Sequence, residues 1–353
     1  MNAQMNAASA PRPKSEDRLL VVDAATRALT DARFDDFARF LRDDDVVVVN
    51  DAAAFPASIG FTTAGKRAEL RILRGGDPSL VDAVVLGEGD RLVRTEDRGE
   101  PPALVEGDSV TLDGGIEALV VAVDPRSPRL LKVRLKGDVA RATIGFYREG
   151  RPVQYAYVPT ALALWDVQTP YAGRPWASEM PSAGRPLSWR ILGAIRSRGI
   201  EVLRVTHGAG LSSTGDAALD ERLPLPERYA IDVEAARSIN TAKASGRRIV
   251  AIGTSVVRAL EASARSTGRV EPGSAVTDLI VGPETKRAVV DAVLTGMHEI
   301  GTSHFSLLEA FAERELVTQA VEHGAREGYL LHEFGDSMLV VAREKRGILP
   351  RAA

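Results

Sequence analysis

The spacing of apolar residues changes twice along the chain. Arg18–Asp23 is a short apolar run that reads as a strand, Phe34, Phe37, Phe40 and Leu41 recur at helical spacing and place one stripe on a helix, and Val46–Val49 reads as a strand again. From about Ala57 to Val158 the pattern becomes short alternating runs broken by Gly and Asp. Leu131-Lys132-Val133-Arg134-Leu135-Lys136 is one such run and Asp113-Gly114-Gly115 one such turn, the texture of an antiparallel barrel or sandwich. After Pro159 helical spacing returns: Ile191, Leu192 and Ile195 share a face, Gly199 follows as a C-cap, and Val202–Val205 reads as a strand. Val233–Ser245 predicts a helix stopped by Gly246, Ile249–Ile252 a buried strand, and Ser255–Ser266 a helix ending at Gly268.

Strands alternating with helices imply a sheet with parallel strands. The expected fold is therefore α/β, with a mixed or mostly parallel sheet, helices, and an inserted antiparallel β-barrel-like domain. The expected division is a disordered tail over 1–17, a discontinuous α/β domain made of 18–56 and 159–353, and a barrel domain over 57–158. A contiguous two-domain division is the alternative.

Composition narrows the function classes. With 353 residues, 44% of them hydrophobic, the chain can bury a sizeable core. Its 45 basic and 48 acidic residues leave a formal charge of −3, so no overall field favours nucleic acid and any RNA contact must use local patches. The absence of cysteine removes disulfides, thiolate metal ligands and cysteine nucleophiles. Five scattered histidines give no metal-ligand pattern, so no metal is expected. The N-terminus lacks the apolar core of a signal peptide, and no run approaches the roughly 18–20 apolar residues of a membrane span. A cytoplasmic monomer without a membrane contact is expected.

Ile249-Val250-Ala251-Ile252-Gly253-Thr254-Ser255-Val256-Val257-Arg258 runs from a buried strand through Gly and two hydroxyl residues into a helix. Such a junction presents free N–H groups and the positive helix end to an anion. Thr254 or Ser255 can cap the helix and Arg258 can add a bidentate contact; a plain structural cap is the competing reading. Thr206-His207-Gly208-Ala209-Gly210 follows a second strand, where glycine permits close approach to a ligand, or simply forms a loop. Pro181-Ser182-Ala183-Gly184 precedes a helix and offers Ser182 as either ligand contact or cap. His298, ending the Val289–Leu294 run, has the chemistry of an acid or base, although a structural histidine fits as well. Phe334-Gly335-Asp336 interrupts a strand pattern and reads equally as a hairpin turn.

In order and spacing these segments resemble the S-adenosylmethionine:tRNA ribosyltransferase-isomerase family of queuosine synthesis, from about Arg18 to Ala342. Gly253-Thr254-Ser255-Val256-Val257-Arg258-Ala259-Leu260-Glu261 is similar to the family's G-T-T-S-V-R-S-L-E. Val289-Val290-Asp291-Ala292 with Thr295 and His298, then Ala310-Phe311, also match, and Tyr329 with Phe334-Gly335-Asp336-Ser337-Met338 resembles Y-R-F-F-S-Y-G-D-A-M. Weaker echoes are Pro181-Ser182-Ala183-Gly184 for P-T-A-G, Gly208-Ala209-Gly210 for G-A-G, Gln168-Thr169 with Tyr171 for Q-T-V-Y, and Asn50 with Pro56-Ala57.

The resemblance implies transfer and isomerisation of the ribosyl group of S-adenosylmethionine onto 7-aminomethyl-7-deazaguanine in tRNA, giving epoxyqueuosine and releasing adenine and methionine. S-adenosylmethionine is then a co-substrate, no permanently bound cofactor is expected, and tRNA is the macromolecular partner. The roles it implies are proton transfer for His298 or Asp336 and anion clamping for Arg258. Gly253, Thr254, Ser255, Gly208, Gly210 and Ser182 fall on the S-adenosylmethionine side, and Asn50, Tyr171 and Tyr229 on the acceptor side.

The chain departs from the pattern at several places. Ala53 and Ser58 stand where the family has arginine, Arg185-Pro186-Leu187 replaces L-H-F after P-T-A-G, and His298-Glu299-Ile300-Gly301-Thr302-Ser303 replaces H-L-P-E-S-T. Leu225-Pro226-Glu227-Arg228-Tyr229 lacks the histidine of M-H-S-E-Y and has its glutamate displaced by one position. The leader is unlike the family's P-x-x-L-I-A segment. Such edits allow two alternatives, a paralogue acting on a small-molecule acceptor and a non-catalytic S-adenosylmethionine-binding protein. For a tRNA enzyme, a basic surface is expected from Arg185, Arg190, Arg196 and Arg198, or from Arg247 and Arg248.

Overall fold

The structure, a computed structural model, describes residues 5–77 and 79–343. Nine strands drawn from both ends of the chain form one mixed sheet. Its order is Gly273–Thr277, Glu227–Ile231, Glu201–His207, Val46–Asn50, Ile249–Ile252, Ala292–Gly296, Ser337–Val341, Arg18–Asp23, Ala28–Arg33. The four strands from Glu201–His207 to Ala292–Gly296 are parallel. Antiparallel partners flank them, and Ser337–Val341 pairs in parallel with Arg18–Asp23.

The apolar runs are unbroken because both faces of the centre are covered. Val46, Val48, Ala251 and Val293 join one core with Ile239, Leu260, Val317 and Ala320 from the helices Val233–Ala244, Thr254–Ala264 and Arg314–Arg326. Val47, Val49, Val250 and Ile252 face the other, where Phe34 and Phe37 meet Ile191, Leu192 and Ile195 of the Trp189–Ser197 helix. The Phe34–Phe40 segment is a 3₁₀ helix, whose rings stack 5.6 Å apart.

Six antiparallel strands close into a barrel, in the order Ile116–Val123, Leu130–Leu135, Leu80–Leu86, Lys66–Asp77, Ser58–Thr63, Ser109–Leu112. Alternation places Ile59, Phe61, Leu70, Ile72, Val133 and Ala118 in a core of their own. The helix Val139–Glu149 follows, capped by the Asp138 carboxylate on Ala140 N–H, and Phe146 meets Phe55 at 5.2 Å between ring centroids. The expected combination of α/β sheet and inserted antiparallel barrel is therefore present, as is the mixed character of the sheet.

Two expectations are corrected. The leader from Met5 to Asp17 is not disordered: Asn6–Ala7 pairs in parallel with Leu330–Leu331, and Arg12 donates to Phe334 O at 3.0 Å and to Asp336 Oδ1 at 2.8 Å. Its Ala, Ser and Pro content hid its anchors, a backbone pairing and the ion pairs of Arg12 with Asp336 and of Asp17 with Arg185. Met1–Gln4 lie outside the described residues. Nor does Phe334-Gly335-Asp336 make a hairpin. Leu330–Leu331 pairs with the leader, Ser337–Val341 pairs with the sheet, and the intervening turn is held by Asp336 N–H donating to Leu330 O at 2.8 Å.

Candidate active site

The carboxyl ends of the Val46–Asn50, Glu201–His207 and Ile249–Ile252 strands lie side by side and bring distant segments together. Asn50 is the link. Its Nδ2 donates to His207 O at 2.9 Å and to Ser255 Oγ at 3.1 Å, and its Oδ1 accepts from His207 N–H at 2.9 Å and Ala52 N–H at 3.0 Å. A short amide, with both ends used, thus fixes the register of three strand exits.

The Thr254–Ala264 helix starts at Gly253, which adopts φ 100° and has no side-chain cap. Neither hydroxyl caps it, contrary to expectation; the Asn50 amide engages Ser255 Oγ instead. The first N–H groups of a helix have no carbonyl within it, so this end retains donors and its positive dipole. A side chain at Gly253 would meet Ala183 Cβ and Ser255 Oγ at 3.5 Å each. The Ser182–Gly184 turn therefore packs directly onto the helix start. Its Ser182 caps nothing, since Ser188 caps the Trp189–Ser197 helix by accepting from Ile191 N–H at 3.3 Å. Tyr171 is buried against Gly184, where a Cβ would strike its hydroxyl.

Arg258 lies one turn along the helix, 5% exposed, in a buried ion pair with Glu227, and its Nε donates to Leu279 O at 2.9 Å. Its Nη2 has no partner among the described residues, so one edge of the guanidinium is left for an anion. Burial presses its pKa down to about 10, which leaves it cationic at neutral pH. Glu227 Oε1 also accepts Gly210 N–H at 2.6 Å, tying the Gly208–Gly210 loop to the same ion pair. His207 is wholly buried, 3.4 Å from Glu227, and neither ring nitrogen has a hydrogen-bond partner among the described residues. Burial and then the Arg258 charge hold it to about 3, so it is a neutral imidazole. Tyr229 sits opposite His207 across the antiparallel pairing, buried, its phenol pushed upward by desolvation.

His298 leaves the next strand over. Its Nε2 bonds Thr295 Oγ1 at 2.7 Å, and its ring stacks on His304 at 4.5 Å between centroids. Burial, then His304 and His332, push its pKa well below the usual value. His304 is lowered to about 4, by burial and by Arg258, whose field thus reaches the imidazole pair. Asp336 is placed differently from its expected role. Its Oδ1 accepts Arg12 and Arg18 N–H, at 2.8 and 2.9 Å, and its Oδ2 accepts Leu330 N–H at 2.8 Å. It ties the leader to the C-terminal strand.

Known proteins resemble the chain over most of its length. The model of a family described as queuosine biosynthesis protein matches residues 1–340. The chain belongs to that family. A Thermus thermophilus S-adenosylmethionine:tRNA ribosyltransferase-isomerase is 32% identical over 336 residues, 93% of this chain and 94% of the relative. The Rubrobacter xylanophilus protein of that name is 32% identical over 346 residues, 93% and 92% of the two chains. A crystal structure of S-adenosylmethionine tRNA ribosyltransferase from Thermotoga maritima superposes with a TM-score of 0.51 at 20% identity, covering 95% of this chain and 96% of that one, a likeness of fold.

Within this queuosine family member, sequence reasoning missed His207, Glu227 and His304 as parts of the site. His207 ends an apolar strand beside a glycine loop, a signal that was present. Glu227 shows in the sequence only as the displaced glutamate of M-H-S-E-Y and His304 carries no local signal, because only the fold brings them to Arg258. The expected basic surfaces are also corrected: Arg185, Arg190, Arg198, Arg247 and Arg248 pair with Asp17, Asp35, Asp43, Glu201 and Asp45. Arg196 has no such partner among the described residues. No helix there is long and apolar enough to cross a membrane.

Proposed function

We propose that the chain transfers and isomerises the ribosyl group of S-adenosylmethionine onto the aminomethyl nitrogen of 7-aminomethyl-7-deazaguanine in tRNA, forming epoxyqueuosine with release of adenine and methionine. The observation that carries this reading is the convergence of Asn50, Gly208–Gly210, Gly253–Ser255 and Arg258 at adjacent parallel strand ends, beside the neutral His298–His304 pair.

The sulfonium of S-adenosylmethionine acidifies the adjoining ribose carbon, so the reaction needs a base there, a clamp for the methionine carboxylate, and donors toward the leaving purine. Arg258 offers its unpartnered Nη2 to the carboxylate, and the Gly253–Ser255 helix start adds N–H groups. His298, uncharged at neutral pH and already oriented by Thr295, takes the proton. The Gly208–Gly210 loop and Ser182 face the nucleoside, and Asn50, Tyr171 and Tyr229 support the acceptor side. The unit made of 18–56 and 159–353 supplies this chemistry, and the unit of 57–158 is its inserted companion. The enzyme works as a cytoplasmic monomer.

The test is to incubate the protein with S-adenosylmethionine, with and without tRNA carrying the aminomethyl-deazaguanine, and to quantify adenine. Release that requires the tRNA and yields ribosylated nucleoside is expected, with Arg258→Ala inactive. Release without tRNA would turn the reading to a small acceptor, and no release while S-adenosylmethionine still binds would leave either a different acceptor or a binding protein.

A further inference from the structure

Beside the site lies a groove of about 220 Å³ lined by Asp51, Arg174, Arg204, Val205, Thr206, Ala230 and Asp232. Asp51 follows Asn50, and Thr206 precedes His207, so the groove opens one residue from the strand exits that build the site. Arg174 and Arg204 are exposed and form no ion pair among the described residues. Arg174 lies 5.4 Å and Arg228 4.0 Å from the centroid of the Trp176 ring, which gives both guanidiniums an aromatic surface to rest on. The Trp176 strand is fixed to the site loop: Ser178 N–H donates to Ala209 O at 2.8 Å, and a Cβ at Gly208 would meet Trp176 O at 2.8 Å. The two acids of the groove are turned to internal donors. Asp51 accepts Thr206 Oγ1 at 2.5 Å, and Asp232 caps the Val233–Ala244 helix by accepting Ala235 N–H at 2.6 Å.

We propose that this groove holds the phosphate backbone of the tRNA, with Arg174 and Arg204 on phosphates and the Trp176 ring orienting Arg174 and Arg228. The inference rests on the tRNA reading above and gives it a location. Five of the six arginines that sequence marked for that task are neutralised by acidic partners, whereas Arg174 and Arg204 have no ion-pair partner among the described residues and lie next to the site. Phosphates answer that chemistry because guanidinium pairs with them bidentately and remains charged throughout the working pH range.

Full-length protein, the Arg174→Glu/Arg204→Glu double variant and an Arg190→Glu control would be titrated with the aminomethyl-deazaguanine tRNA at several salt concentrations, with S-adenosylmethionine binding measured in parallel. The double variant should bind tRNA at least roughly tenfold more weakly, and the slope of log affinity against log salt should fall by about 0.7–0.9 for each phosphate that is no longer neutralised. S-adenosylmethionine affinity should not move, and in the adenine assay KM for tRNA should rise while kcat holds. Unchanged tRNA affinity, or an equal loss in the Arg190→Glu control, would overturn the proposal, as would a wild-type chain that does not bind tRNA. Wild-type binding that weakens in the double variant but is followed by no adenine release would support the groove and remove the proposed reaction instead.

Discussion

Glu227 receives Arg258, the Gly210 N–H and the edge of His207 at once, so charge at the site is settled by one carboxylate and one guanidinium while the imidazole stays neutral. The 3.4 Å approach of His207 does not make it cationic, because burial disfavours the charged ring and Arg258 already balances that carboxylate. The same burial makes stability depend on pH. His207 is held to about 3 in the folded protein, below the roughly 6.5 of an unfolded chain, so below that pH the unfolded state binds the proton first. Stability is therefore full above pH ~6.5 and falls as pH drops toward 3, by up to ~1.4 kcal/mol per pH unit for each such histidine. His298, His304 and His332 are shifted in the same direction and add to the slope. Urea titrations between about pH 7 and 5 should show a shallower fall for His207→Asn than for the parent. Equal slopes would mean that the parent imidazole is solvated.

The turn between Leu330–Leu331 and Ser337–Val341 depends on Asp336, whose carboxylate is 1% exposed and receives two backbone N–H groups and Arg12. Removing one partner of a buried pair costs about 3–5 kcal/mol. Asp336→Ala should lose stability of that order in chemical denaturation, and a loss below about 1 kcal/mol would show that water replaces the carboxylate. How legible such elements are in sequence depends on where their partners lie. Ile249–Ile252 and Val46–Asn50 are readable because burial on both faces demands a continuous apolar run, and the barrel because period-two alternation survives in strands such as Leu130–Leu135. Asn6–Ala7 is unreadable: two small polar-to-neutral residues become a strand only because Leu330–Leu331 presents an open edge. The Gly253–Ser255 junction was legible as a helix start, but its wiring through Asn50 was not, since a hydrogen bond across 205 positions leaves no local trace.

At the scale of the molecule, a barrel and a sheet with separate cores are joined by polar contacts as well as by chain. Tyr155 donates its hydroxyl to Glu179 and Tyr157 to Glu333, while Arg71 lies 5.4 Å from the Tyr155 ring centroid. The leader binds the far end of the chain through Arg12–Asp336 and its middle through Asp17, which accepts Arg185 at 2.7 Å. Deleting residues 1–16 should therefore speed amide hydrogen exchange around Leu330–Asp336 and leave the barrel amides of Leu80–Leu86 unchanged; exchange rising equally in both would mean that the molecule opens as one unit. The strand Arg18–Asp23 sits between Ala28–Arg33 and Ser337–Val341, so the first sheet strand to leave the ribosome closes one of its two edges against the last. At about 5–20 residues per second, the apolar segment Leu19–Val22 must wait with that edge open until Ser337–Val341 has been made. The barrel, whose strands pair within a short span of chain, can close long before. A nascent chain with a closed barrel still has an unfinished sheet until Ser337–Val341 emerges, so the interval in which that edge is open to aggregation is set by the topology.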